Sequence, residues 1–201
     1  MKSKFLSIIF TAFSFVLFAQ TKEEKLQQLM QAYSAIGKLN GSVMITQKGK
    51  TLLNHGYGLR NVTKNLPNNP NSIFQIGSVT KQFTAAIILK LQENEQLNLL
   101  DKISMYFPDY PNGDKIRVEH LLTHTSGIFN YTDDREFMQT KAMNPISQKE
   151  MLNTFSNKPL KFVPGSDFEY SNSNYILLGY IIEKVTNKPY EKVVEQMIFK
   201  P

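Results

Sequence analysis

Ile73-Phe74-Gln75-Ile76-Gly77-Ser78-Val79-Thr80-Lys81 runs directly into Gln82-Phe83-Thr84-Ala85-Ala86-Ile87-Ile88-Leu89-Lys90. The run Ile73–Gly77 reads as an apolar strand, and the residues from Ser78 to 95 read as a helix. A serine three residues before a lysine on a helix puts both side chains on one face, within mutual reach. That spacing matters because a serine hydroxyl keeps its proton near neutral pH and needs a base to become a nucleophile. A lysine serves as such a base where burial and neighbouring positive charge lower its proton affinity. Ser78 also falls in the helix's first turn, where free N–H groups and the dipole favour developing negative charge. An N-capping serine followed by a solvated lysine would show the same four residues. The reading therefore depends on what accompanies them.

Tyr170-Ser171-Asn172 is the second element. A tyrosine and an asparagine two apart in a loop can face one site. The phenol relays a proton, and the amide both donates and accepts hydrogen bonds. The same residues would also suit a polar turn capping the helix expected from Ser173. Tyr110-Pro111-Asn112 has the same spacing, but it lies in a Pro/Asn/Gly-rich stretch with no helix directly behind it, and it reads as a surface turn.

Three blocks follow in order: Phe74-Gln75-Ile76-Gly77-Ser78-Val79-Thr80-Lys81-Gln82-Phe83-Thr84-Ala85, His120-Leu121-Leu122-Thr123-His124-Thr125-Ser126-Gly127-Ile128, and Phe168-Glu169-Tyr170-Ser171-Asn172-Ser173-Asn174-Tyr175. With these the chain resembles the serine β-lactamases and penicillin-binding proteins. The likeness is strongest to the class C β-lactamase-like branch, which includes D-alanyl-D-alanine carboxypeptidases, D-aminopeptidases and esterases. It runs from about Leu26 to Pro201. The resemblance implies an α+β fold of the β-lactamase/transpeptidase type, an antiparallel sheet flanked by helices with a helical insert. It implies that Ser78 is the acylated nucleophile, that Lys81 and Tyr170 share general acid/base duty, and that Asn172 orients the substrate. The Ser78 N–H would form half of an oxyanion hole. No metal and no organic cofactor is implied. The implied substrate is a small molecule or peptide: a β-lactam, a D-amino-acid peptide or an ester.

The family's third motif, Lys or His followed by any residue and Gly on a late strand, has no counterpart here. After Asn172 the only glycine is Gly179, preceded by Leu177-Leu178, and all three histidines (His55, His120, His124) lie upstream. The chain thus reads as a sequence lacking its C-terminal strands. On that reading residues 20–201 are expected to be poorly stable alone, because a lone hairpin leaves open sheet edges. A large cooperative heat-absorption peak would count against this. The rival reading is a catalytically impaired binding protein for β-lactams or peptidoglycan peptides, or an inactive truncated fragment.

Composition fits a globular domain: 41% hydrophobic, 20% charged, with 14 Phe and 9 Tyr for a core. Lys2 and Lys4 precede an apolar run, Phe5 to Ala19, which is short for a bilayer span and ends in a small residue. We read residues 1–19 as a signal peptide and 20–201 as a partial hydrolase domain, exported to the periplasm or the exterior without a stable membrane anchor after cleavage. The chain has no cysteine, which excludes disulfides and lipid attachment through an N-terminal cysteine. The formal charge of +6 is scattered, with no run of five like charges, which argues against nucleic acid as a partner.

The remaining elements follow from periodicity and punctuation. A helix is expected over 21–37, a hairpin from 42–46 and 51–58, and an Asn/Pro-rich loop over 61–72. Short helices are expected over 118–124 and 147–156, irregular chain over 129–146 along the cleft rim, and helices over 173–187 and 189–199, split by Pro189. His120 and His124, four apart on the expected helix, could meet one metal. The residue after His120 is Leu121, however, where the zinc-protease pattern has Glu, and a hydrogen-bonded His124-Thr125-Ser126-Gly127 turn shaping the site floor is the preferred reading. Gly77-Ser78-Val79-Thr80 is no Gly-x-Ser-x-Gly elbow, so a Ser-His-Asp triad has little support. Asn40-Gly41-Ser42, Asn61-Val62-Thr63 and Asn130-Tyr131-Thr132 match the glycosylation sequon at chance frequency and carry no argument.

Overall fold

The computed structural model describes residues 20–200; the segment read as a signal peptide lies outside them. The chain forms two compact units that divide between Gln75 and Ile76.

In the first unit, helix α1 (Lys22–Ala35) opens on a capping box. The Thr21 side chain accepts from the Glu24 N–H, and the Glu24 carboxylate accepts from the Thr21 N–H, which satisfies two otherwise orphan donors. Strands β1 (Gly41–Gln47) and β2 (Lys50–Tyr57) form the expected hairpin, with Gly41 opposite Tyr57 and a bulge between Ile45 and Thr46. Lys48 and Gly49 both have positive φ (51° and 78°), the two-residue turn whose twist matches the flanking strands. Within the expected loop a second, short ladder pairs β3 (Leu59–Asn61) with β4 (Leu66–Pro67). Ile73–Ile76, expected as a strand, is irregular. It joins neither sheet of the described residues, and Ile73 is fully exposed. Apolar character alone does not make a strand when no partner backbone lies alongside.

The second unit is helical: α2 (Thr80–Glu93), α3 (Val118–Leu122), α4 (Arg135–Thr140), α5 (Gln148–Ser156), α6 (Asn172–Thr186) and α7 (Tyr190–Val194), which runs on as a π turn over Glu195–Phe199. Its core sits where α2 and α6 meet. Ile87, Ile88 and Leu91 of α2, and Leu177, Leu178, Ile181 and Ile182 of α6, have no exposed surface. These positions recur at helical spacing. Each such side chain contributes about 1.5–3 kcal/mol by leaving water, which holds the two helices as one rigid base. Phe155 of α5 and Leu121 of α3 close the same cluster.

Three expectations are corrected here. The helix begins at Thr80, because Gly77–Val79 forms a tighter 3₁₀ turn that delivers the chain into it. Residues 129–146 are not wholly irregular. They hold a 3₁₀ turn at Tyr131–Asp133 and helix α4, started by the Asp134 carboxylate accepting from the Phe137 N–H at 3.0 Å and anchored by buried Phe137. Tyr110-Pro111-Asn112 does form a turn, closed by the Gly113 N–H on the Tyr110 carbonyl at 2.9 Å with Pro111 and Asn112 exposed, but the Tyr110 side chain belongs to the core, and burial pushes its phenol well above the usual range.

Candidate active site

Gly77 has φ +52° with open space where a Cβ would stand, so its backbone conformation alone favours glycine. The bend it makes sets Ser78 in the 3₁₀ turn ahead of α2, where the Val79 N–H bonds the Ile76 carbonyl at 3.1 Å and the Thr80 N–H bonds the Gly77 carbonyl. Lys81, one turn on, donates to Ser78 Oγ at 3.2 Å. The Tyr170 hydroxyl lies 2.8 Å from the same Oγ. Asn172 Oδ1 accepts from Lys81 Nζ at 2.8 Å and from the Tyr170 hydroxyl at 3.4 Å. The four residues singled out in the sequence therefore meet in one hydrogen-bonded group. Ser78 is exposed and Tyr170 is 42% exposed, so a substrate can reach the oxygen atoms. A cleft of about 330 Å³ adjoins them, lined by Thr80, Lys81, Tyr131, Asn172 and Tyr175 among others.

Electrostatics favour an ionisable phenol. Burial raises the Tyr170 proton affinity, but the nearby Lys81 ammonium and Ser78 hydroxyl outweigh it and hold the phenol below its ordinary 10.0. The Lys81 ammonium also stands over the rings of Tyr170 and Tyr175, at 5.1 Å and 5.4 Å from their centroids. Cations favour the negative face of such rings.

The block His120–Ile128 supplies the floor. Helix α3 ends in a double closure: the Thr125 N–H bonds the His120 carbonyl at 2.9 Å and the His124 N–H bonds the Leu121 carbonyl at 3.4 Å, with His124 left-handed at φ +59°. His124 is therefore off the helix, and the shared face expected for the two histidines ends before it. Among the described residues, no cluster of His, Asp and Glu is placed to hold a metal ion. The His124 ring packs against Tyr170 (4.5 Å between centroids) and Tyr175 (5.2 Å), and its Nδ1 accepts from the Ser171 N–H at 3.2 Å. Gly127, φ +71°, must be glycine, since a Cβ would meet the Phe162 carbonyl at 2.5 Å. Lys161, whose N–H bonds the Gly127 carbonyl, ion-pairs with Glu169 and reaches Asp133 at 3.6 Å.

Sequence reasoning missed Asn130. This buried residue (8% exposed) accepts the Asn172 backbone N–H at 3.0 Å and the Asn172 side-chain N–H at 3.3 Å on one oxygen, Oδ1. Only its place in a chance sequon had marked it.

Burial holds both His124 and His120 below the ordinary 6.5, and at His124 the Lys81 charge adds to this. The unfolded chain therefore binds more protons than the folded one as pH falls through 6.5, and stability declines in that window. We expect the melting temperature to drop between about pH 7 and about pH 5, and His124→Gln to flatten the drop. A melting temperature that rose on acidification would contradict this.

The family model described as Beta-lactamase matches residues 23–201. The chain belongs to the β-lactamase family, and its α+β architecture is of the β-lactamase/transpeptidase type. PbpX of Bacillus subtilis (strain 168) is 34% identical over 175 residues, covering 87% of this chain and 42% of PbpX. The solved penicillin-binding protein of Bacillus halodurans superposes with a TM-score of 0.75 at 28% identity, over 90% of this chain and 54% of that one. The D-amino acid amidase of Ochrobactrum anthropi SV3, solved with L-phenylalanine, gives 0.78 at 26% identity, over 88% of this chain and 48% of that one. The chain thus spans less than half the length of its curated relatives PbpX and Protein flp of Staphylococcus aureus (strain COL), of which it covers 42% and 32%.

Proposed function

We propose that this protein is a serine hydrolase that forms an acyl-enzyme on Ser78 with an amide, β-lactam, D-Ala peptide or ester, and then hydrolyses it. The observation that carries this is the convergence of the Tyr170 hydroxyl and Lys81 Nζ on Ser78 Oγ, at 2.8 Å and 3.2 Å. Tyr170, as phenolate beside the Lys81 ammonium, takes the Ser78 proton as Oγ attacks the carbonyl carbon. The Ser78 backbone N–H, in the 3₁₀ turn ahead of α2, forms half of the oxyanion hole that stabilises the tetrahedral adduct. When the tetrahedral adduct collapses, the same proton passes from Tyr170 to the leaving amine or alcohol. Water then attacks the acyl carbonyl, giving its proton to Tyr170 and from there to Ser78. Asn172 orients the reacting groups through its carbonyl, which holds the ammonium. Acyl groups from D-configured amides are the favoured substrate class, because family members include a D-amino acid amidase and penicillin-binding proteins.

The test offers the protein a chromogenic cephalosporin, a D-alanyl-D-alanine peptide, a D-phenylalanine amide and a p-nitrophenyl ester, and follows intact mass alongside product release. We expect an acyl adduct with at least one amide-type substrate, and turnover of that adduct. Adducts that persist without product would replace hydrolysis by binding. No adduct from any of the four would sink the reading.

A further inference from the structure

We infer that Asn130 is a positioning residue for the Ser78–Lys81–Tyr170 group, acting by deciding which end of the Asn172 amide meets Lys81. The argument is one of hydrogen-bond satisfaction. The Asn130 amide lies between a group that can only donate, the Asn172 backbone N–H (3.0 Å), and a group that only accepts when ionised, the Asp133 carboxylate (3.0 Å). Its oxygen must face Asn172 and its nitrogen Asp133. That oxygen then lies 3.3 Å from one atom of the Asn172 side chain, which must be the nitrogen. The second Asn172 amide proton goes to Thr132 Oγ1 at 3.2 Å. With both donors engaged, the Asn172 carbonyl is left facing Lys81, whose ammonium can only donate.

The result is a chain of bonds from Lys81 through Asn172 and Asn130 to Asp133, all in one direction. Without the Asn130 acceptor, the Asn172 amide could turn its NH₂ towards Lys81. Donor would then face donor, and the ammonium would be displaced from Ser78 Oγ. The chain is braced from outside, since Lys161 pairs with both Asp133 and Glu169, the residue before Tyr170. Asn130 itself is buried and hydrogen-bonded on both sides of its amide, so its side chain is committed to the protein and not to a glycan.

The rate arm of the test rests on the serine hydrolase reading, so a second arm is independent of activity. In the first, the rate of Ser78 acylation by a p-nitrophenyl ester is measured for Asn130→Ala, Asn172→Ala and the double variant. Misplacement of a catalytic group by an ångström costs about 10²-fold, and a loss of that order is expected for Asn130→Ala. If Asn130 acts only through Asn172, the double variant is no slower than Asn172→Ala. Additive losses, or an Asn130→Ala protein that acylates at the unmodified rate, would overturn the inference. In the second arm, the Asn172 side-chain NH₂ signals are assigned by their loss in Asn172→Ala, and solvent exchange is followed by NMR. These protons should be protected in the unmodified protein and lose that protection in Asn130→Ala. If the unmodified protein takes up no acyl group from any of the four substrates above, the hydrolase reading fails and the exchange arm decides alone; equal exchange in both proteins rejects the role for Asn130. Should Asn130→Ala not fold, the isosteric Thr132→Val removes the other acceptor. It should slow acylation less, show no further loss in the Asn172→Ala background, and release one amide proton to faster exchange. No change in either readout rejects the inference.

Discussion

We expect Ser78→Ala to abolish the proposed acyl adduct and to leave the fold intact. Ser78 is exposed, and alanine keeps the Cβ in the 3₁₀ turn over Gly77–Val79. The substitution removes only Oγ, with its contacts to Tyr170 and Lys81. Surface changes of this kind shift stability by less than about 0.5 kcal/mol. Among the described residues of the second unit, Ser78 carries the aliphatic hydroxyl that meets both an ammonium and a phenol, so the loss should be complete and not a mere slowing. Intact mass after incubation with the p-nitrophenyl ester reads the outcome. An adduct of unchanged yield in Ser78→Ala would place the nucleophile elsewhere.

The second large effect concerns the base. Tyr170→Phe should slow acylation by about 10²–10⁴-fold, the usual contribution of a positioned general base. The ring remains, so packing against His124 at 4.5 Å is kept and the fold should be unaffected. The phenolate form of Tyr170 is favoured below the ordinary 10.0, so acylation of the unmodified protein should rise with pH through a limb lying below that value. Tyr170→Phe should lose the limb. If the limb survives, another group sets it. Lys81→Ala provides the comparison: it also slows acylation, but it deprives the Asn172 carbonyl of its ammonium and lets the Tyr170 phenol rise. The limb then moves to higher pH and does not vanish. If Lys81→Ala unfolds the protein, Lys81 is structural.

Much of this was readable in the chain. Helices α1 and α5 announce themselves through a capping residue, and helix α6 through apolar positions at helical spacing, and such signals are local. The hairpin is equally local, because Lys48-Gly49 satisfies the turn and the strands follow. Ser78 and Lys81 are brought together by spacing alone, across the 3₁₀ turn and the start of α2, and Tyr170 lies two residues from Asn172 at the start of α6. Less legible was anything whose cause lies far along the chain. Ile73–Ile76 has strand-like composition but no strand beside it. Tyr110 sits in a turn-like stretch yet is buried, because the surrounding core has room for its ring. Helix α4 was overlooked because it is only six residues long and rests on one cap and one buried Phe137.

By itself, then, the sequence singled out the side chains that meet in the candidate site and the short segments that present them, since spacing, capping and turn residues act within a few positions. The tertiary structure alone decided how those segments meet. Burial of the α2 and α6 faces brings Tyr170 and Asn172 to Ser78 across 92 positions. The left-handed turn at His124 places an imidazole beneath the phenol. The direction of the Asn172 amide is set by Asn130, a residue with no local signal at all. Hydrogen-bond polarity is a property of completed networks: no single residue specifies it until every donor and acceptor around it has found a partner.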